Sequence, residues 1–461
     1  MHTYQHVSLM PVSAEALYAW HASPGAFLRL APPWETMADI SRQGALEDGA
    51  ETRFTIRKGP LGVRWVARHD QHVADRQFRD VQVAGPFSVW RHTHRFVPVG
   101  PGESRLEDSL EVEAPGGPVA TWLGGSFLNA TLSRMFQFRH RRTRDDLARH
   151  ARYAAVGRRR ILVSGASGLV GQALVAFLQG GGHDVVRLVR RAPGPGEIHW
   201  DPEKGEIRDS DLEGFDAVIH LAGEGIAEGR WTAARKARIL QSRVDGTRLL
   251  ATAIARLDRK PEAFISASAI GFYGDRGDEG LDESAAAGQG FLADVCRAWE
   301  AETAPAGEAG VRVVNLRIGI VLTPQGGALA RMLPPFQLGA GGPVGSGRQY
   351  MSWIALDDLL GAIQHVLFTP SLRGPVNATA PEPARSSEFA RVLGHVLHRP
   401  AILPLPEPAV WLMLGEMGRA LLLEGARVLP TKLQQSGFQF LCPTLEEALR
   451  HEIGLVPAEA A

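Results

Sequence analysis

The apolar and polar positions fall into two textures that change over near Arg158. Before it, short segments alternate. Thr52, Phe54 and Ile56 alternate with Arg53, Thr55 and Arg57, and Val63, Trp65 and Ala67 with Arg64, Val66 and Arg68. Leu106, Leu110 and Val112 share one parity against Arg105, Glu107, Ser109 and Glu111. A period of two with a polar opposite face predicts antiparallel strands, one side on a core. Ser13, after Pro11, is placed to cap a first helix, and Ser23-Pro24 offers the N-cap and first-turn chemistry of another. A long helix closes the segment over about 125–153, with Leu128, Leu132, Met135, Phe136 and Leu147 at helical spacing. The order predicts an α+β domain with the long helix laid over a curved sheet. After Arg158, apolar strands alternate with helices, which predicts a doubly wound parallel sheet.

Over residues 1–153 this order resembles the START-like (SRPBCC) helix-grip fold, as does the stretch Asp80-Val-Gln-Val-Ala-Gly-Pro86 to Trp90. The resemblance implies a cavity between helix and sheet for an apolar or lipid-like ligand. A filled core that serves only for docking presents the same inward apolar face, so both readings stand. His92 and His94 sit at i, i+2 on one strand. A metal site needs further ligands, none is spaced recognisably nearby, and the pair reads as sheet-surface histidines, so no metal site is expected.

The chain has 461 residues, enough for two or three domains. The texture divides them as 1–153, a linker at 154–158, and 159–455, the last with an appended part over about 400–450. Fifty basic residues balance fifty acidic ones, which argues against a nucleic-acid or acidic-membrane binder. The long helix ends rich in arginine (Arg139, Arg141, Arg142, Arg144, Arg149, Arg152). Asp145 and Asp146 interrupt that run, so it reads as a solvated face, not a nucleic-acid footprint. Two cysteines, Cys296 and Cys442, build neither a disulfide framework nor a zinc site, and they fit a reducing compartment. Met1–Met10 carries no leader pattern, and the apolar run 409–425 is broken by Glu416, Arg419 and Glu424. A cytoplasmic protein without membrane insertion is expected.

Arg160–Ser164 reads as a short buried strand, followed directly by Gly165-Ala-Ser-Gly168-Leu-Val-Gly171 and a helix over 169–179. In that context the glycines have distinct tasks. Gly165 makes the tight turn, Gly168 lets backbone approach a pyrophosphate, and Gly171 lets the helix pack on the sheet. The helix N-terminus then offers free N–H groups to phosphate. The next strand, Asp184–Arg190, decides between cofactors. An NAD(H) site places an acid near its end, yet none lies between Val185 and Gly196, and Arg190 and Arg191 stand there instead. A guanidinium suits a 2′-phosphate, so NADP(H) is expected over NAD(H).

Further segments carry a second resemblance. Asp216-Ala-Val-Ile-His-Leu-Ala-Gly-Glu224 ends a strand, and a helix follows with Lys236, Ser242, Arg243, Val244, Gly246 and Thr247. Phe264-Ile-Ser-Ala-Ser-Ala-Ile-Gly-Phe-Tyr-Gly274, Val314–Leu322 and Ser352–Asp358 come next. These resemble extended short-chain dehydrogenase/reductases of the epimerase/dehydratase kind. The tail (Gly374-Pro-Val-Asn-Ala, Arg399-Pro, Gly415-Glu-Met, Arg427-Val-Leu-Pro, Gly437-Phe, Pro443-Thr-Leu) points to an atypical epimerase subgroup with an appended C-terminal domain of unknown function. The resemblance implies that Gly165, Ser167, Gly168, Leu169 and Gly171 hold the pyrophosphate and Arg190 the 2′-phosphate. Leu221, Ala222 and Gly223 would line the ribose side, with Ser268 as the catalytic serine.

The departures matter. Aligned on Glu300, Leu292 and Cys296 stand where the family keeps the Tyr and Lys of Tyr-x-x-x-Lys, and Arg243 replaces a helix asparagine. Hydride transfer needs a proton partner, and Tyr273, with Arg243 to lower its pKa or stabilise an oxyanion, is the candidate. Lys236 reads as solvated. Glu224 and Trp231 are candidates to face the cleft, Asp357 to cap a helix, and the glycine-rich loop 339–349 to act as a lid. Three functions follow: an NADP(H)-dependent oxidoreductase or epimerase-like enzyme on a small-molecule substrate, a cofactor-binding sensor or scaffold without turnover, or a lipid-binding protein whose cofactor domain is regulatory.

Overall fold

The alternating N-terminal segments pair into one sheet. A computed structural model of the chain describes residues 1–117 and 124–455. Strands β1 (His2–Met10), β2 (Thr36–Gln43), β3 (Glu51–Lys58), β4 (Leu61–Val73), β5 (Gln77–Ala84), β6 (Val89–Gly100) and β7 (Glu103–Glu113) lie in the order β1-β7-β6-β5-β4-β3-β2, every pairing antiparallel. Phe54 stands opposite Trp65 and Thr52 opposite Ala67. A register shift between β4 and β5 at Val66/Ala67 interrupts the alternation there, and Val63 is left exposed.

Two short helices, α1 (Ala14–Ala22) and α2 (Ala26–Leu30), follow β1. Ser13 caps α1 by accepting from the Ala16 amide at 3.3 Å. Ser23 does not cap α2; it closes α1, and Gly25 stands at the start of α2 without a side-chain bond. The long helix α3 (Gly125–Arg152) sets Leu132 and Phe136 on Leu110 and Val112 of β7, while Leu147 joins Leu17, Trp20, Phe78, Phe96 and Leu106. Its arginine-rich end is not simply solvated. Arg142 is buried over the Phe138 ring at 4.3 Å, and Asp146 takes a buried two-pronged bond from Arg29 at 2.8 and 2.6 Å. Asp146, one of the two acids that interrupt the positive run, is thus half of an internal ion pair.

The chain divides into two units, the first built on Met1–Gly157 with Ala176–His183 and the second on Arg158–Val175 and Asp184–Ile453. In the second, β8 (Arg160–Ser164), β9 (Asp184–Val189), β10 (Glu197–His199), β11 (Ala217–His220), β12 (Ala263–Ala269), β13 (Arg312–Ile318) and β14 (Gly374–Ala378) form a parallel sheet in the order β10-β9-β8-β11-β12-β13-β14. Helices α4 (Leu169–Gly180), α5 (Ala233–Arg256) and α6 (Phe291–Ala301) are three of its connections. Strand order reverses between β8 and β11. In open α/β sheets the crevice beyond the strand ends at such a point is where ligands bind.

A smaller lobe follows. Helices α7 (Gly327–Gln337), α9 (Ser386–Leu397) and α10 (Leu445–Glu452) share a core of Leu329, Phe336, Trp353, Phe389, Leu393 and Leu449. Between them, α8 (Leu356–Phe368) starts without a cap from Asp357; its first amide, Leu356, donates instead to Glu452 at 3.1 Å. Asp357 bonds His451 at 2.8 Å, and Asp358 accepts from the Leu441 and Cys442 amides, so both tie down the C-terminal segment. The glycine-rich loop is tied to the segment after α9. Gly345 donates to Leu405, and Leu403 donates to Gly341. A Cβ on Gly342 would fall 2.1 Å from the Leu403 carbonyl oxygen, so glycine serves close packing there. Among the described residues no helix is long and apolar enough to cross a membrane.

Candidate dinucleotide site

Strand β8 delivers its glycines to the reversal point between β8 and β11. Gly165 has φ of +70°, and a Cβ there would meet the Leu221 carbonyl carbon at 2.6 Å. Only glycine combines that conformation with that approach. A Cβ on Gly171 would lie 2.1 Å from the Gly165 oxygen, so the first turn of α4 rests on the loop itself. The loop closes with Gly168 donating to Gly165 at 3.0 Å, and Ser167 and Gly168 stay exposed. Helix geometry leaves the amides of residues 169–171 without in-helix acceptors, aimed at the crevice. Leu221, Ala222 and Gly223 follow β11 on the opposite wall, with Leu221 donating to the Ser164 oxygen at 3.2 Å. Beneath them, Ser164 and His220, both fully buried, share a 2.6 Å hydrogen bond. Burial, helped by Arg243, pushes the His220 pKa down to about 3.

The two arginines beyond β9 differ. Arg191 is held by Glu197 through two 2.7 Å bonds. Arg190 is exposed and only 3.9 Å from an equally exposed Glu203. Arg190 is thus the more available guanidinium, and the chain carries no acid between Val185 and Gly196, where binding a ribose 2′-hydroxyl would call for one.

Ser268, near the end of β12, donates to Glu300 of α6 at 2.6 Å. Glu300 in turn takes Arg317 of β13 at 2.8 and 2.9 Å, and Arg317 donates to the Tyr273 hydroxyl at 2.9 Å. The single proton of the Tyr273 hydroxyl is shared between the Asn377 side-chain oxygen at 2.7 Å and the Asp282 carbonyl at 3.0 Å. This hydroxyl is fully buried, and burial raises its pKa against the lowering pull of Arg317. The Tyr273 hydroxyl is thus enclosed by Arg317, Asn377 and the Asp282 carbonyl. Arg243 lies against Gly223, stacks over Trp299 at 5.0 Å and donates to the Glu224 and Ile239 carbonyls, both at 3.0 Å. It does not contact Tyr273 by any described bond; its electrostatic neighbours are Cys296 and Glu224. Cys296 packs on the Ala269 carbonyl at 3.6 Å, and Leu292 faces Gly271.

Three weaker expectations change. Lys236 is paired with Glu416 at 2.7 Å and lies over Phe291. Trp231 is packed with Ile239, Val295 and Met417 and donates to the Ile226 carbonyl. Glu224 is taken up by Arg235. Glu300 and Arg317, which bond around Ser268, were not among the sequence candidates. The signal was a charged side chain, Arg317, inside the apolar strand Val314–Leu322.

His92 and His94 are also not surface residues. Both are buried, on the helix-facing side of the first unit's sheet, beside Asp80 and Asp108. They share that face because residues two apart on a strand point the same way.

A glycine-gripped helix N-terminus at the strand-order reversal of a parallel sheet defines a dinucleotide-binding protein of the doubly wound class. The model described as "NAD dependent epimerase/dehydratase family" matches residues 161–377, and a "Domain of unknown function (DUF1731)" matches 405–452. The chain is 46% identical over 290 residues to "Epimerase family protein Mb2239" of Mycobacterium bovis, spanning 63% of this chain and 96% of that one. With human "Epimerase family protein SDR39U1" the identity is 38%, over 63% of this chain and 98% of the relative. The chain belongs to this epimerase family. In the first unit, "Polyketide cyclase / dehydrase and lipid transport" matches residues 10–138. A crystal structure described as the nucleoside-diphosphate sugar epimerase from Corynebacterium glutamicum covers 98% of this chain and 90% of its own, with a TM-score of 0.81 and 34% identity. The crystal structure of human SDR39U1 (isoform 2) with NADPH covers 64% and 100%, with a TM-score of 0.60 and 37% identity.

Proposed function

We propose that the second unit binds NADP(H) and acts as an atypical short-chain oxidoreductase or epimerase-like enzyme on a small molecule bearing a hydroxyl or carbonyl. The observation that carries this is the glycine cradle at the β8/β11 reversal with exposed Arg190 at the end of the neighbouring strand. The relative crystallised with NADPH supports the cofactor. Gly165, Ser167, Gly168, Leu169 and Gly171 would hold the pyrophosphate, Arg190 the 2′-phosphate, and Leu221, Ala222 and Gly223 the ribose. When bound, the nicotinamide supplies or takes the hydride.

The proton partner is then the Ser268–Glu300 pair. Ser268 donates its own proton to Glu300, which leaves its oxygen lone pairs to accept from a substrate hydroxyl. Glu300 is the sink for the relayed proton, and Arg317 fixes its orientation. Tyr273 is a positioning residue that holds Arg317. Arg243 brings a cation beside Cys296, where the family's lysine is missing. A second reading, a cofactor-binding sensor without turnover, is favoured by one fact: Ser268 is only 3% exposed and its hydroxyl is already engaged. The first unit adds a module for an apolar ligand, in keeping with its family match.

NADPH fluorescence titration followed by a panel of carbonyls and sugar nucleotides decides between them. For the enzyme, Ser268→Ala and Glu300→Gln should lower turnover by about 10²–10⁴-fold while NADPH affinity is kept. NADPH binding with no turnover on any panel member selects the sensor, and absence of NADPH binding refutes both.

A further inference from the structure

The first unit holds a buried cluster of imidazoles and carboxylates that the cofactor chemistry does not use. Strand register builds it. Asp80 of β5 stands opposite His69 of β4 on one side and His92 of β6 on the other, and His94 of β6 stands opposite Asp108 of β7. Directly opposed residues share a face, so all five point to the side covered by α3. One donor atom each from Asp80, His92 and His94 lies within 4.8 Å of the others. The Asp80 Oδ2 atom is 3.3 Å from His94 Nε2 and 4.0 Å from His92 Nδ1.

The surroundings are arranged around those three. Asp80 turns its other oxygen, Oδ1, to His69 Nε2 at 2.8 Å. Asp108 Oδ1 lies 2.7 Å from His94 Nδ1 and 3.4 Å from His92 Nε2, the ring nitrogens away from Asp80. Asp108 Oδ2 is held by His140 of α3 at 2.9 Å, and His140 reaches Ser8 of β1 at 3.0 Å. Yet His92 Nε2, His94 Nδ1 and Asp108 Oδ1 are all buried and make no aligned hydrogen bond. Leaving such groups unsatisfied is costly.

We propose that Asp80, His92 and His94 bind one divalent first-row transition metal ion, with Asp108, His69 and His140 orienting these ligands. Two imidazoles and a carboxylate are the donor set such ions prefer, and three protein ligands leave coordination positions open. An ion on His92 Nδ1 and His94 Nε2 makes the opposite nitrogens N–H donors, both facing Asp108. That is the carboxylate behind histidine found around metal centres. It places a proton on each of the two buried ring nitrogens that lie within 3.4 Å of Asp108 Oδ1. The Asp80 side chain is 23% exposed, which provides a way in from solvent. The competing account is a proton-only cluster. Burial opposes a proton on His94, but the two aspartates outweigh it and push its pKa up to about 9.

The test uses the full-length protein, purified without a metal-affinity step and stripped with EDTA. Cobalt(II) and zinc(II) are added separately, the protein is desalted, and bound metal is measured by mass spectrometry alongside the visible cobalt spectrum. About one ion per chain should be retained, with cobalt ligand-field bands and competition between the two ions. The His92→Ala/His94→Ala double variant should retain none. Asp108→Asn, which keeps all three ligands, should weaken binding by about 10–100-fold. Wild-type protein that retains no ion overturns the proposal in favour of the proton-only cluster. Retention unchanged in the double variant overturns it in favour of other histidines. If the double variant fails to fold, unchanged affinity in folded Asp108→Asn overturns the assigned support.

Discussion

Cys296 stands against the end of β12, and burial, reinforced by the Glu300 carboxylate, pushes its thiol pKa up to about 11. The thiolate is the reactive species, so this residue takes neither the cationic nor the nucleophilic role at neutral pH. Iodoacetamide at pH 8 should leave Cys296 unmodified in native protein and label it after denaturation; rapid native labelling, read by peptide mass spectrometry, would contradict the packing. At Arg190 the expectation concerns selectivity. Arg190→Ala should weaken NADPH binding roughly tenfold and leave NADH binding nearly unchanged. An equal loss for both cofactors would move the 2′-phosphate contact elsewhere. His220 ties β8 to β11 as a neutral imidazole with its folded pKa near 3, against 6.5 for an unperturbed ring. Between these values the unfolded chain binds more protons than the folded one. The stability from neutral burial is thus present above about pH 6.5 and lost as pH falls toward 3, with a slope approaching ~1.4 kcal/mol per pH unit. Urea midpoints at pH 7 and pH 5 should show that loss, and His220→Asn should reduce the difference.

The loop between β8 and α4 is the element whose chemistry the sequence displays most openly, because its three glycines and both flanking periodicities are local. Gly171→Ala puts a methyl 2.1 Å from the Gly165 oxygen, so α4 must lift from the loop. The variant should lose about 1–3 kcal/mol of stability and bind NADPH more weakly; a protein with wild-type melting temperature and affinity would show that the helix does not rest there. The Ser268–Glu300–Arg317–Tyr273 chain was not legible in this way. Its members come from β12, α6, β13 and the loop after β12, and only the parallel pairing of Ser268 with Arg317 brings them together. The buried row of the first sheet was half visible. Asp108 shares the parity of Leu106, Leu110 and Val112, so an acid interrupts an inward-facing apolar series. What no local pattern could supply is register: His69, Asp80 and His94 become neighbours only once β4 to β7 are aligned.

At the scale of the whole molecule, the chain carries separate hydrophobic cores. Met10, Leu17, Trp20, Phe78, Phe96 and Leu106 belong to the first unit, and Leu162, Val218, Leu250, Ile254 and Phe264 to the second. The texture change at Arg158 foreshadowed two folds because period-two strands and strand–helix alternation demand different partners for their apolar faces. A ligand that binds only the native state of one unit raises the unfolding free energy of that unit by RT ln(1 + [L]/Kd), about 2.7 kcal/mol at a hundredfold excess over Kd. Calorimetry of the full-length protein should therefore resolve two transitions. Saturating NADPH should move only the one assigned to the second unit, and cobalt(II) only the one assigned to the first. The assignment can be made independently: Gly171→Ala should lower the NADPH-sensitive transition and leave the other in place. A single transition that both ligands shift together would mean that the two units unfold as one cooperative body, and the cofactor and metal sites would then be energetically linked.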